Sequence, residues 1–229
     1  MTVLLRIDAS ARLDGSITRE LTDRFIEGWR SSEPDAQVLA RDVGRQPPSI
    51  VSEASIRAGF TPADRRTPAM RDALTESIIL IDELRQADVL VLGVPLYNYG
   101  LPASLKAWID QIVRPGETFS FDLERGDFPI QSTLSGKSLV VLSSRGEFGF
   151  EPGGIRDGWN HLNSHLRTIA TRLLGIAAKD IHEVTSEYQE FNDERHHHSR
   201  EKAVHDAAEL GSRLAAARRT PCRNEEAHA

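Results

Sequence analysis

Short apolar runs alternate along the chain with segments in which apolar residues recur at helical spacing. The runs are continuous and flanked by polar loops, a pattern typical of strands buried on both faces of a parallel sheet. They predict strands at residues 3–7, 37–42, 89–94, 137–143 and 177–184. The segments between and after them predict helices near residues 17–29, 52–59, 68–86, 101–112, 156–174 and 193–217. A short extended piece is expected at residues 118–121.

Strict alternation of strands and helices decides the fold class. Ile17, Leu21, Phe25 and Trp29 recur every four residues and would bury one face of the first helix against a sheet. Five strands connected by helices predict an α/β protein with three layers: a doubly wound parallel sheet in flavodoxin order, 2-1-3-4-5, and helices on both faces. We expect one domain over residues 1–217, followed by a polar and disordered tail at residues 218–229.

Composition narrows the range of functions. The 229 residues carry a net charge of −6, which argues against nucleic acid or an anionic membrane as a partner. No run reaches the ~20 apolar residues of a membrane span, and the first residues show no signal-peptide pattern. Cys222 is the single cysteine, so an intramolecular disulfide is excluded. These features predict a cytoplasmic protein.

The loop after the first strand has the chemistry of an anion site. It carries Ser10 and then Gly15, Ser16 and Thr18 at the start of a predicted helix. Free backbone N–H groups and the helix dipole attract a phosphate there, and hydroxyl groups add donors. The alternative is that Ser16 only caps the helix.

Two further loops leave the carboxyl ends of strands three and four. The first is Leu96-Tyr97-Asn98-Tyr99-Gly100, whose aromatic and amide groups suit a flat aromatic ligand. The second begins Ser144-Arg145-Gly146, where glycine allows backbone to approach a ring. Taken alone, the first of these loops could be aromatic rings packed beneath a turn, and the second could be a plain strand-to-helix connection. All three loops meet at one sheet edge, where doubly wound sheets bind ligands, and together they predict a flavin site.

The loops and the helix after the third strand resemble those of a known family. Residues 95–110 read PLYNYGLPASLKAWID, residues 116–119 read GETF and residues 144–146 read SRG. This pattern is similar to the P-x-Y-N-F/Y-x-x-P-x-x-L-K-x-W-x-D, G-x-T-F and S-R-G-G motifs of the FMN-dependent NADH:quinone oxidoreductases, also called FMN-dependent azoreductases. The similarity extends in order and spacing over most of residues 1–215.

The resemblance implies a role for each loop. Ser10 and the Ser16, Ile17 and Thr18 segment would hold the FMN phosphate. Leu96, Tyr97, Asn98 and Tyr99 would line the isoalloxazine, and Ser144, Arg145, Gly146 and Glu147 would close over its pyrimidine side. It also implies a homodimer that transfers a hydride from NADH or NADPH and then two electrons to quinones or azo compounds, in ping-pong order. Because the flavin carries the redox chemistry, no catalytic side chain and no metal are predicted.

Departures from the family pattern and two rival functions stay open. Glu147 replaces the second glycine of the family's S-R-G-G motif. Ser10 and Asp193-x-x-His196 also resemble the layout of GDSL-type esterases, with Ser10 as nucleophile and His196 as base. A flavin-binding electron carrier without nicotinamide activity is the other alternative. The run His196-His197-His198 does not predict a metal site, because adjacent helical residues point about 100° apart.

Overall fold

Five parallel strands form the central sheet of the computed structural model, which describes residues 1–219. The strands are β1 Val3–Asp8, β2 Gln37–Asp42, β3 Val89–Pro95, β6 Ser138–Ser144 and β7 Ile181–Ser186. Their order is β2-β1-β3-β6-β7, and every neighbouring pair is parallel. Counting only the sheet strands, this is the predicted order 2-1-3-4-5, and the flavodoxin-like fold class is confirmed.

Helices lie on both faces of this sheet, because the strands carry buried apolar side chains on both faces. The helices are α1 Ile17–Ser32, α2 Glu53–Phe60, α3 Pro68–Ala73, α4 Thr75–Gln86, α5 Ala103–Ile112, α6 His161–Arg172 and α7 Glu194–Arg219. Every residue of β3 is buried; Leu90 and Leu92 pack in the cluster that includes residues of α4, α5 and α6. Val89 and Val91 pack in the cluster on the opposite face, with α1 and α7. The sheet is therefore covered on both faces.

Several element boundaries differ from the predicted ones. The predicted helix at 68–86 is two helices, which meet at Leu74. The helix predicted to begin at residue 156 begins at His161, because Gly158 has a positive φ of 79° and Asn160 caps the helix by accepting from Leu162 N and Asn163 N. The fifth sheet strand lies at Ile181–Ser186 rather than 177–184, since residues 178–180 form a 3₁₀ turn.

A small hairpin lies outside the main sheet. The extended piece predicted at residues 118–121 is confirmed as strand β4, Phe119–Phe121, and it pairs antiparallel with β5, Ile130–Ser132, which the sequence did not predict. Helix α7 continues through residue 219, two residues past the predicted domain end. The rest of the predicted tail, residues 220–229, lies outside the described residues. Among the helices of residues 1–219, none has both the length and the apolarity needed to cross a membrane.

Candidate functional site

A cavity of about 360 Å³ lies at the carboxyl edge of the sheet. Its volume is in the range of small-molecule and cofactor sites. Residues from all three predicted loops and from a fourth loop line it: Ser10, Arg12, Ser16, Ile17, Pro95, Leu96, Tyr97, Ser144, Gly146, Gln189 and Glu190. The convergence expected from the sequence is therefore present in the fold.

The first loop presents hydroxyl groups and helix amides to this cavity. Ser16 is the N-cap residue of α1 by position, but its side chain makes no capping hydrogen bond. Instead, Ser16 Oγ lies 3.3 Å from Thr18 Oγ1, and both side chains are buried. The first intrahelical backbone bond joins Glu20 N to Ser16 O at 3.1 Å, so the three preceding amides have no acceptor within the helix. This arrangement favours an anion site over a simple cap.

Arg19 holds the first loop in place. Its guanidinium donates to both carboxylate oxygens of Asp42, at 2.7 and 2.9 Å, and also to Ser10 O at 2.8 Å and Arg12 O at 3.0 Å. These hydrogen bonds from Arg19 hold the pKa of Asp42 below its ordinary value. The loop is thus fixed to the end of β2 by a bidentate ion pair before any ligand binds.

Two glycines allow close packing against the first loop and against the end of β1. A Cβ added at Gly44 would lie 2.1 Å from Ser10 O, so only glycine fits where the chain leaves β2. A Cβ at Gly93 would lie 2.8 Å from Asp8 Oδ1 in the same way. Asp8 is itself buried, and this burial raises the pKa of its carboxyl despite the ion pair with Arg6 at 2.6 Å.

The second loop is a tight and strained turn. Asn98 and Tyr99 have φ values of 48° and 63°, in the left-handed region that is uncommon for residues other than glycine. Tyr97 N donates to Gly100 O at 3.2 Å and Gly100 N donates to Tyr97 O at 2.9 Å, which closes the turn. Tyr97 Oη accepts from Ala11 N at 3.3 Å and connects this loop to the first. Strain of this kind is often retained at ligand sites.

The third loop begins where β6 and β7 end. Leu96 N donates to Ser144 O at 2.9 Å, and Arg145 N donates to Ser186 O at 2.8 Å. The Arg145 guanidinium lies 3.2 Å from Glu187 and 5.4 Å from the centre of the Phe150 ring. Arg145 is not among the residues that line the cavity, and its ion pair joins two neighbouring loops.

Glu147 bridges the second and third loops. Its carboxylate accepts from Tyr99 Oη at 2.9 Å and from Arg156 Nε at 2.8 Å. The bond from Arg156, and then that from Tyr99, lowers the pKa of Glu147, while the same carboxylate raises the pKa of Tyr99. The Tyr99 ring also packs edge-on against Trp159, with 5.7 Å between ring centres.

A fourth loop, after β7, was missed by the sequence reasoning. Glu190 N donates to Gly146 O at 3.0 Å and Gln189 N donates to Arg145 O at 3.2 Å, so this loop runs along the third. The Glu190 side chain lies against Gly146, where an added Cβ would come within 2.5 Å of its carboxylate. A signal was available, because the end of every parallel strand in such a sheet faces the same edge.

Comparison with known proteins identifies the family. A family model described as a flavodoxin-like fold matches residues 2–210. The chain is 48% identical over 221 residues to FMN-dependent NADH:quinone oxidoreductase 2 of Idiomarina loihiensis, covering 93% of this chain and 91% of that protein. It is 45% identical to the protein of the same name from Colwellia psychrerythraea, covering 93% of this chain and all of that one. The chain belongs to the family of FMN-dependent NADH:quinone oxidoreductases.

Solved structures agree with this assignment at the level of the fold. An azoreductase from Bacillus anthracis superposes with a TM-score of 0.81 at 20% identity, over 93% of this chain and 100% of that one. An FMN-dependent NADH-azoreductase from the same species, solved in complex with FMN, gives 0.80 at 18% identity, over 94% and 100% of the two chains.

The predicted site residues fall into two groups in the fold. Seven of the twelve line the cavity: Ser10, Ser16, Ile17, Leu96, Tyr97, Ser144 and Gly146. The other five are not among the lining residues: Thr18 lies in the first turn of α1, and Asn98, Tyr99, Arg145 and Glu147 lie in the second and third loops. The proximity of these loops is observed, and the contact of each residue with FMN stays a prediction.

The arrangement expected of an esterase is not formed. Both ring nitrogens of His196 are buried without a hydrogen-bond partner among residues 1–219, so neither Ser10 nor Asp193 bonds to the ring. The Asp193 carboxylate instead pairs with Arg195 at 2.6 Å and accepts from the backbone N of His196. Within the same residues, no group of three histidine, cysteine or acidic side chains is placed to hold a metal ion.

Proposed function

We propose that this protein binds FMN and transfers two electrons from NADH or NADPH to quinones and azo compounds. One observation carries the proposal: a cavity at the carboxyl edge of a flavodoxin-like sheet places the hydroxyl-bearing start of α1 beside the Tyr97 loop. Relatives at 45–48% identity are named FMN-dependent NADH:quinone oxidoreductases, which supports the same function.

The residues present fit the phosphate end of FMN. Ser16 and Thr18 are buried, and within residues 1–219 their hydroxyl groups bond only to each other. They stand at a helix start with free amides, which is the usual environment of a bound phosphate. Arg12 lines the cavity without an ion pair in the described part of the chain, so its charge is available to the ligand. We assign Ser10, Ser16, Ile17 and Thr18 to this end.

The remaining loops fit a flat ring. Leu96 and Tyr97 line one side of the cavity, and Ser144 and Gly146 line another. We assign these residues, with Asn98, Tyr99, Arg145 and Glu147 around them, to the isoalloxazine. The left-handed Asn98–Tyr99 turn follows directly on Tyr97, and the Tyr99 ring packs edge-on against Trp159.

FMN, when bound, supplies the capacity to accept and release two electrons, and the protein supplies position and electrostatics. By analogy with the family, we infer a ping-pong order in which the oxidised nicotinamide leaves before the acceptor enters. By analogy with the family, we also propose a cytoplasmic homodimer. The choice between NADH and NADPH belongs to the proposal as well.

The test is a titration of the reconstituted protein. FMN retained after desalting, bleached anaerobically by NADH and restored by a quinone would support the reductase. Parallel double-reciprocal plots at varied NADH and quinone would support the ping-pong order, and intersecting plots would refute it. Retained FMN that neither NADH nor NADPH reduces would refute the reductase and indicate an electron carrier.

A further inference from the structure

Glu147 has a role that the FMN site does not account for. Both oxygens of its carboxylate have protein partners: Oε2 accepts from Tyr99 Oη, and Oε1 accepts from Arg156 Nε and lies 2.5 Å from a terminal nitrogen of the same guanidinium. Glu147 follows Gly146, which lines the cavity, so this carboxylate and its guanidinium partner form an ion pair beside the site.

Arg156 is held in a fixed position by the third loop. Its guanidinium lies 5.2 Å from the centre of the Phe148 ring and donates to Phe148 O at 3.0 Å. The Arg156 side chain is 17% exposed and the Glu147 side chain is 27% exposed, so neither charge is fully removed from solvent. Without Glu147, the guanidinium would present a net positive charge beside Tyr99.

The wall next to this pair is aromatic. Tyr99 packs 5.7 Å from Trp159 and 6.3 Å from Phe150, measured between ring centres. Tyr99 and Trp159 are 39% and 52% exposed, so a planar molecule can reach them. Arg145, a cation beside the Phe150 ring, has its own carboxylate partner. Glu190, which lines the cavity, adds a negative charge that acts on Tyr99. This wall therefore combines exposed rings with paired guanidinium groups.

We propose that Glu147 determines acceptor specificity by neutralising Arg156. The proposal rests on the proposed function, because it concerns the second substrate of that reaction. Exposed rings beside guanidinium groups that are already paired favour neutral planar acceptors such as unsubstituted quinones. An acceptor carrying a sulfonate or carboxylate gains no attraction from the paired guanidinium and meets the Glu147 carboxylate. The residue positions a charge and does not take part in electron transfer.

The test compares a neutral naphthoquinone with a sulfonated one. In Glu147→Gln the amide oxygen can still accept from Tyr99, but Arg156 loses its counter-charge. We expect the ratio of kcat/KM for the sulfonated quinone to that for the neutral one to rise about fivefold at low salt. The rise should shrink at high salt. Because each quinone is compared with itself across variants, differences in their redox potentials cancel.

Three further variants make the test specific. Glu151→Gln removes the same charge from an exposed residue of the same loop and should leave the ratio unchanged. Arg156→Gln should lower the ratio, and the Glu147→Gln/Arg156→Gln double variant should restore the wild-type value. An unchanged ratio in Glu147→Gln, or an equal rise in Glu151→Gln, would overturn the proposal.

Equilibrium binding separates this proposal from the redox function. Naphthalene-2-sulfonate and 2-naphthol are redox-inert, and their affinities for the FMN-loaded protein can be measured by calorimetry. We expect Glu147→Gln to tighten sulfonate binding about fivefold relative to naphthol. Equal changes for both ligands would refute the specificity role even where NADH reduces the flavin. If the flavin is not reduced, the binding shift still tests the charge effect of Glu147.

Discussion

Ser16 offers a direct test of the phosphate site, because the structure separates its two possible roles. A capping serine accepts a hydrogen bond from an amide of the first turn, and its replacement by alanine costs about 1 kcal/mol of stability. Ser16 makes no such bond, and its hydroxyl faces Thr18 at 3.3 Å beside the cavity. Ser16→Ala should therefore weaken FMN binding while leaving the apoprotein almost as stable as the wild type.

The magnitude follows from the kind of bond that is lost. A hydrogen bond to a charged group contributes about 1.5–3 kcal/mol, and each 1.4 kcal/mol is a factor of ten in affinity. Ser16→Ala should raise the Kd of FMN about 10- to 150-fold, and Thr18→Val, which keeps the shape of the side chain, should act in the same direction. The Kd is measured by quenching of flavin fluorescence, and apoprotein stability by denaturant unfolding.

Ser52 provides the matched control. It is the N-cap of α2, where its side chain accepts from Ser55 N at 3.2 Å in a capping box. Ser52→Ala should lower stability by up to about 1 kcal/mol and leave the Kd of FMN unchanged. An apoprotein destabilised by about 1 kcal/mol in Ser16→Ala, together with unchanged FMN affinity, would show that Ser16 is only a cap.

Three other predictions follow from groups around the site. Arg19→Met should lower the free energy of unfolding by about 1–2 kcal/mol at pH 7. The Asp42 pKa is lowered in the folded protein, so the stability from the Arg19–Asp42 pair is present above the pKa of the unfolded chain, about 3.9, and is lost as pH falls through the pKa of the folded protein. Acid titration of Arg19→Met should lack this loss of stability. Burial lowers the pKa of His196, so wild-type stability should fall as pH drops below about 6.5, where the unfolded chain takes up the proton first. His196→Phe should therefore show a smaller decrease in unfolding midpoint between pH 7 and 5. A decrease equal to that of the wild type would contradict this role of His196. Gly44→Ala should lower the free energy of unfolding by about 2 kcal/mol and weaken FMN binding, because the added Cβ would displace Ser10 O. Calorimetry measures the stability and FMN titration the affinity. Unchanged FMN affinity would contradict the predicted effect on binding.

The sheet order could be predicted because it depends on apolar runs and on the general rules of α/β packing. Strand β3 is buried on both faces, and its continuous apolar sequence shows this directly. The break at Leu74 could not be predicted, since the apolar spacing continues across it and only the packed structure shows two helices. The late start of α6 depends on Gly158 and on the cap at Asn160, local features that compete with an otherwise helical pattern.

The candidate site was predictable as a set of loops but not as a set of contacts. Ser16 and Tyr97 could be placed at the cavity, because each lies in a loop that leaves the carboxyl end of a strand. The contribution of Glu190 depends on how the loop after β7 folds against Gly146. The pairing of Glu147 with Arg156 joins residues nine positions apart across a glycine-rich segment, and no sequence periodicity indicates such a contact.

The central claim is tested most directly by an anaerobic visible spectrum of the protein after reconstitution with FMN and desalting, recorded before and after NADH and again after a quinone. The account predicts bound flavin that loses its colour with NADH and regains it with the quinone. Loss of all flavin on desalting, or bound flavin that stays oxidised with both NADH and NADPH, would contradict it.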